Sequence, residues 1–210
     1  MNDIGDHVVY ALAWLIYGAL HSLLARQAVY QRLTQQTQRK YRVIYNAIAV
    51  LHLGATLLVG YQLLNGSEAA FWAPGFLGPI LLCVQIAGAI LIVMALRQYD
   101  LGLFSGLKQW RGDGGENNLV DGQEALTVSG LSAHMRHPLY TGVMLVLWGG
   151  AVSEFAFATA LWATIYIFIG AYFEERKLIV LYGDAYRAYQ EQIPAFIPWK
   201  SVFAGRRTAD

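Results

Sequence analysis

The chain is predicted to be an all-α, polytopic membrane protein of about five transmembrane helices, the last two forming a helical hairpin. Three observations predict this. Of its 210 residues, 56% are apolar and only 14% charged, whereas a soluble domain carries about 25% charged residues. The apolar residues come in long blocks rather than amphipathic stripes. The basic residues are confined to alternate connections between those blocks.

A hydrocarbon core of roughly 30 Å needs about 20 residues of apolar helix. Residues 7–25, 43–64 and 77–97 meet that length. The N-terminus carries Asp3 and Asp6 and lacks a basic leader, so the first block is expected to be a retained span rather than a cleaved signal. His21 and His52 fall inside spans one and two, where an interhelical hydrogen bond would satisfy them, although intramembrane polar residues are functional candidates by default. The single cysteine, Cys83, excludes an intrachain disulfide and is expected to pack in the third span.

A polar stretch then runs to Met135. Its Gly-rich part, 112–118, lacks the Lys-Ser/Thr of a phosphate loop and reads as a flexible connection. The blocks 139–152 and 155–173 follow as a hairpin turning at Ser153-Glu154, the first of them short for a straight span. Leu178 to Trp199 reads as an amphipathic helix stopped by Ile193-Pro194 and Ile197-Pro198. Its Tyr182, Tyr186, Tyr189 and Phe196 suit either the membrane surface or the cover of a pocket. The expectation is one membrane domain over 1–210: three spans in 1–97, then the loop, hairpin and amphipathic segment in 98–210.

Orientation follows from charge. Arg26, Arg32, Arg39, Lys40 and Arg42 lie between the first two spans with no acidic residue among them, while the connection near 65–78 and the turn at Glu154 have no Lys or Arg. All fifteen basic residues share one side if the N-terminus is outside and the C-terminus inside, and that side is then cytoplasmic. A bacterial inner membrane suits this topology. The charge balance is near neutral and no basic run is interleaved with aromatics, which argues against a nucleic-acid partner.

Two reactive clusters fall on this cytoplasmic face. Arg136-His137-Pro138-Leu139-Tyr140-Thr141-Gly142 opens the hairpin, and Glu174-Glu175 ends it. Pro138 fits the first turn of a helix, where its missing N–H costs nothing. The helix N-terminus, with Arg136 and His137 beside it, suits a carboxylate or other electron-rich group. Gly142 permits close approach of a backbone or ligand. Carboxylates at a helix C-terminus oppose the dipole and call for a partner such as Arg136 or a bound cation. An interfacial anchor and a solvated helix end are the plainer readings of the same residues. His134 and His137 are spaced as a metal pair would be, but nothing completes the ligand set, so no metal is expected.

Taken in order, these pieces resemble the isoprenylcysteine carboxyl methyltransferase family and the related phospholipid methyltransferases. The resemblance runs from about Glu124 to Pro198. It comprises Leu126-Thr127-Val128-Ser129-Gly130-Leu131, the Arg136–Gly142 motif, Glu174-Glu175 with Leu178, Tyr182-Gly183-Asp184-Ala185-Tyr186, and Pro194 with Pro198. It implies an integral membrane methyltransferase with S-adenosylmethionine in a cytoplasmic pocket around the hairpin and a lipophilic small-molecule or lipid substrate entering from the membrane lipids. By similarity, the cofactor contacts fall on Glu124, Ala125, Leu126, Thr127, Ser132, Arg136, His137, Pro138, Leu139, Tyr140 and Glu174.

Three positions depart from the prenylcysteine enzymes: Glu124 replaces His, Ser132 replaces Tyr, and Gly170 replaces the Arg that engages a substrate carboxylate. The acceptor is therefore left open among thiol, carboxylate and amine. Where a proton must be taken up, Glu175 and His134 are the candidates. Two other readings compete: an NADPH-dependent sterol or steroid reductase, and a non-enzymatic membrane subunit that keeps the fold. The sequence leaves the oligomeric state open.

Overall fold

A computed structural model describes residues 3–26, 29, 31–33, 35–65, 75–112, 126 and 128–199. Among these the chain is helical, with no strand. The α-helices are α1 (Ile4–Leu24), α2 (Gln35–Leu64), α3 (Gly78–Leu96), α4 (Leu101–Ser105), α5 (Leu107–Arg111), α6 (Pro138–Gly149), α7 (Glu154–Tyr182) and α8 (Asp184–Gln192). Four segments are long and apolar enough to cross a membrane: Ile4–Leu24, Lys40–Leu64, Gly75–Leu96 and Glu154–Tyr182. The expected fifth span is α6, which at 12 residues reaches only about 18 Å. The protein is thus an integral membrane protein with four such helices and one short apolar helix.

The chain forms two compact units. The first comprises residues 1–75, 100–120 and 151–162. Its core is the stripe Tyr10, Trp14 and Tyr17 on α1, spaced to share one helix face and all buried. Gly60 makes room for it, because a Cβ there would fall 2.3 Å from the Tyr10 ring. Tyr10 also meets Thr159 Oγ1 at 2.8 Å, and His7 meets the buried Glu154 at 2.9 Å. His21 is satisfied by Tyr45 at 2.6 Å, and His52 lies edge-on to the Tyr17 ring.

The paired helices α4 and α5 do not emerge from the sequence pattern, each being only five residues long. Asp100 caps α4 by accepting from the Gly102 and Leu103 N–H groups and pairs with Lys108. Gly106, at φ +88, makes the turn between them and lies against Arg42. Asn46 donates to the Phe104 and Ser105 carbonyls, which ties the bracket to α2.

The second unit comprises residues 76–99, 121–150 and 163–210. Its spine is α3 against α6. Cβ atoms at Gly88, Gly142 and Gly149 would each fall within 2.8 Å of atoms on the facing helix. Gly142 faces Ile92 and Gly149 faces Gln85, so the two helices run antiparallel. Small residues allow this backbone approach, which replaces a hydrophobic drive that lipid cannot supply. Cys83 is exposed on α3 rather than packed, because the glycine face, not the cysteine face, meets α6.

The last long helix runs past the expected end at Phe173 as far as Tyr182. Gly183, at φ +58, breaks it, and the amphipathic segment begins only at Asp184.

Candidate functional site

All the described members of the two reactive clusters lie in the second unit. Pro138 sits in the first turn of α6 and His137 is its N-cap, as the sequence requires. Thr141 shares its hydroxyl between the His137 carbonyl at 3.0 Å and the Phe196 carbonyl at 3.1 Å. The backbone N–H groups of Arg136 and His137 donate to the carbonyls of Pro194 and Ala195 at 3.0 and 2.9 Å. A strap of residues 193–198 therefore lies along the entrance of α6.

The two glutamates play different parts. Glu175 Oε1 accepts from Arg136 Nε at 2.7 Å and from His137 Nε2 at 3.0 Å, and Gln190 Nε2 donates to Oε2 at 2.8 Å. With three donors and an 18% exposed side chain, this carboxylate clamps α6, α7 and α8 together. The Arg136 guanidinium extends the clamp by donating to the Gln190 carbonyl at 3.2 Å and to the Ile193 carbonyl.

Glu174 is 45% exposed. Its Oε2 accepts from the Tyr140 hydroxyl at 2.9 Å and stands 4.0 Å from His137 Nδ1. The result is an accessible carboxylate in an aromatic corner. The buried His137 ring is stacked with Tyr140 at 5.4 Å and with Phe196 at 5.5 Å, and Phe168 meets Phe196 edge-on at 5.0 Å.

Helix α8 roofs the corner. Tyr189 donates to the Ser132 carbonyl at 2.6 Å. Tyr186 is almost fully buried, and burial, reinforced by the charge of Glu175, pushes its phenol up. Burial also raises Tyr189. Tyr186 is thus packed in the interior of the unit, Tyr189 is tied to Ser132, and Phe196 is stacked on His137.

The structure therefore brings together Arg136, His137, Pro138, Tyr140, Glu174 and Glu175, with Leu139 following in the first turn of α6. Ser132 joins through its backbone, and Leu126 is half-buried in the same unit. His134 is exposed beside the 3-10 turn Gly130–Ala133, and no hydrogen bond or ion pair among the described residues ties its ring to the cluster. Glu124, Ala125 and Thr127 lie outside the described residues. No group of three metal-ligating side chains occurs among the described residues.

Gln190 and Trp148 escaped the sequence reading. Trp148 Nε1 donates to Thr164 Oγ1 at 2.9 Å. A signal was present, since antiparallel helices of equal rise pair residues whose numbers have a constant sum. His137 with Glu175 and Trp148 with Thr164 satisfy the same sum.

A family description, NnrU protein, matches residues 9–152. Methanethiol S-methyltransferase 1 of Bradyrhizobium diazoefficiens is 30% identical over 202 residues, covering 92% of this chain and 67% of that relative. The methanethiol S-methyltransferase of Mycobacterium tuberculosis is 26% identical over 213 residues, covering 93% of this chain and 80% of the relative. The protein-S-isoprenylcysteine O-methyltransferase of Schizosaccharomyces pombe is 33% identical over 79 residues, covering 35% of this chain and 33% of the relative. No solved structure gives a significant match.

Proposed function

The chain belongs to the NnrU protein family and is a membrane methyltransferase, and from that premise we propose that it uses S-adenosylmethionine to methylate a small lipophilic thiol. The observation that carries the cofactor assignment is the contrast between the two glutamates. Glu175 is consumed by the clamp, while Glu174 offers a half-exposed carboxylate held by Tyr140 in an aromatic corner.

That donor set fits the cofactor. A carboxylate beside aromatic faces suits a ligand bearing both an ammonium and a sulfonium. Glu174, Tyr140 and His137 would hold it, with Pro138 and Leu139 presenting the N-terminus of α6 to its carboxylate. By the family resemblance, Leu126 and Ser132 would contact it as well. When bound, the cofactor supplies an electrophilic methyl group.

The work left to the protein is alignment and exclusion of water. The acceptor sulfur forms the new S–CH3 bond as the old one breaks, and the thiol proton must leave. Both Glu175 oxygens are already occupied, so the exposed His134 imidazole is the group that receives it or passes it to water. A thiol acceptor accords with the relatives named for methanethiol. Gly170, in the position of a carboxylate-binding Arg, argues against a prenylcysteine. The distribution of Lys and Arg supports an N-outside, C-inside topology, with the corner at the cytoplasmic face.

The test is calorimetric binding of S-adenosylmethionine and, separately, NADPH to the detergent-purified protein. Donor binding that Glu174→Gln weakens by roughly tenfold or more, with the melting temperature unchanged, is the expected result. NADPH binding alone, or donor binding indifferent to Glu174, overturns the assignment.

A further inference from the structure

The clamp and the Trp148–Thr164 bond mark the two ends of one seam. Eleven residues separate His137 from Trp148 on α6, and eleven separate Thr164 from Glu175 on α7, about 16 Å along each helix. Between these ends lies a cavity of about 510 Å³. Thr141, Met144, Leu145 and Trp148 line one face of α6 there, with Phe168 of α7 opposite and the strap from Pro194 to Ile197 alongside. Its lining is almost wholly apolar, and its volume falls within the range of small-molecule pockets.

Two features set it apart from a mere gap between lipid-facing helices. It abuts the binding corner: Phe196 lines it and also stacks on His137, and Met144 lies one helical turn from Tyr140. At its far end the exposed Trp148 indole lines it and is pinned across the hairpin by Thr164. The side formed by Phe168 and Ile197 stays exposed, so an apolar chain has lateral access.

Resting on the methyl-transfer reading, we propose that this groove holds the apolar chain of the methyl acceptor and that Trp148, positioned by Thr164, sets the longest chain that fits. The acceptor class is then a thiol on a medium-length hydrocarbon chain. The groove is larger than methanethiol requires. The nucleophile sits at the Thr141 end, next to the corner, with its tail running towards Trp148.

The experiment uses the full chain in nanodiscs and n-alkyl methyl sulfides (ethyl, hexyl, decyl, hexadecyl) as non-reacting product mimics. Their equilibrium binding is measured against empty nanodiscs, with S-adenosylmethionine binding followed in parallel. Apparent affinity is expected to rise by roughly fourfold per methylene until the chain meets Trp148, and then to level off while partition into empty nanodiscs keeps rising. Trp148→Ala should move the plateau to longer chains. Thr164→Val, which keeps the shape and loses the pin, should blur the plateau, and it carries the test if the alanine variant does not fold.

Affinity that merely follows partition into empty nanodiscs, or an identical plateau in both variants, overturns the proposal. So does a phospholipid retained in the groove that no sulfide displaces. A plateau that shifts in protein unable to bind S-adenosylmethionine upholds the groove and removes the assigned reaction. Donor binding with no plateau shift does the reverse.

Discussion

His137 donates to Glu175 at 3.0 Å, and this contact leaves the neighbouring Glu174 turned to the surface with Tyr140. Adjacent residues on one helix thus divide between holding the fold and presenting charge. Glu175→Ala leaves the Arg136 guanidinium, itself only 11% exposed, without its carboxylate partner. Breaking such a pair costs about 3 kcal/mol, so a clear fall in melting temperature is expected. Glu174→Ala should melt as the wild type does, and thermal scans of the two variants side by side decide the point.

Tyr140→Phe keeps the stack on His137 and deletes only the hydroxyl that holds Glu174. Losing one hydrogen bond to a charged group costs about 1.5 kcal/mol. Cofactor affinity is expected to fall by up to about tenfold, with any loss of stability no larger than that one bond, read by calorimetry and thermal scans.

Gly88 and Gly170 make opposite predictions. A Cβ at Gly88 would lie 2.7 Å from the Gly142 carbonyl oxygen and from the Val146 nitrogen. Backbone cannot give way as a flexible side chain would, so Gly88→Ala should cost about 1–3 kcal/mol. Nothing lies within 4 Å of a Cβ at Gly170, inside a continuous helix, and Gly170→Ala should gain about 0.5–1 kcal/mol. Unfolding curves of the two variants test the pair.

Tyr186 gives a pH dependence. Its phenol is raised by burial first and by Glu175 second, so the folded state binds the proton more tightly than the unfolded chain. That stability is complete below the ordinary phenol value of about 10 and is lost as pH rises towards the higher folded value. Alkaline titration should therefore loosen α8, and Tyr186→Phe should flatten the curve of melting temperature against pH over that range.

Much of this architecture was legible in the sequence because bulk solvent physics writes it there. Hydropathy located the four long helices, Pro138 marked the start of α6, and the ordered motif brought His137 near Glu175. What escaped depends on relations between elements. Bracket α4–α5 is too short to show a period and rests on Asn46, which lies 58 residues from the Phe104 carbonyl it reaches. Gln190 gains its role only because Gly183 turns α8 back over the corner. The division between Glu174 and Glu175 depends on which face each shows to α6, and a pair of adjacent acids does not announce that.

The strap has a consequence for how the protein is made. Fifty-seven residues separate Arg136 from Ile193, so the first helix of the hairpin is synthesised well before the carbonyls that secure its entrance exist. The corner is therefore among the last of the described parts of the chain to be completed. A chain ending at Tyr182 would hold the Arg136–Glu175 pair but lack the Gln190 and Ile193 carbonyls that complete the clamp. Closure of the entrance thus waits on Pro194–Phe196, whose carbonyls receive the Arg136 and His137 N–H groups and the Thr141 hydroxyl.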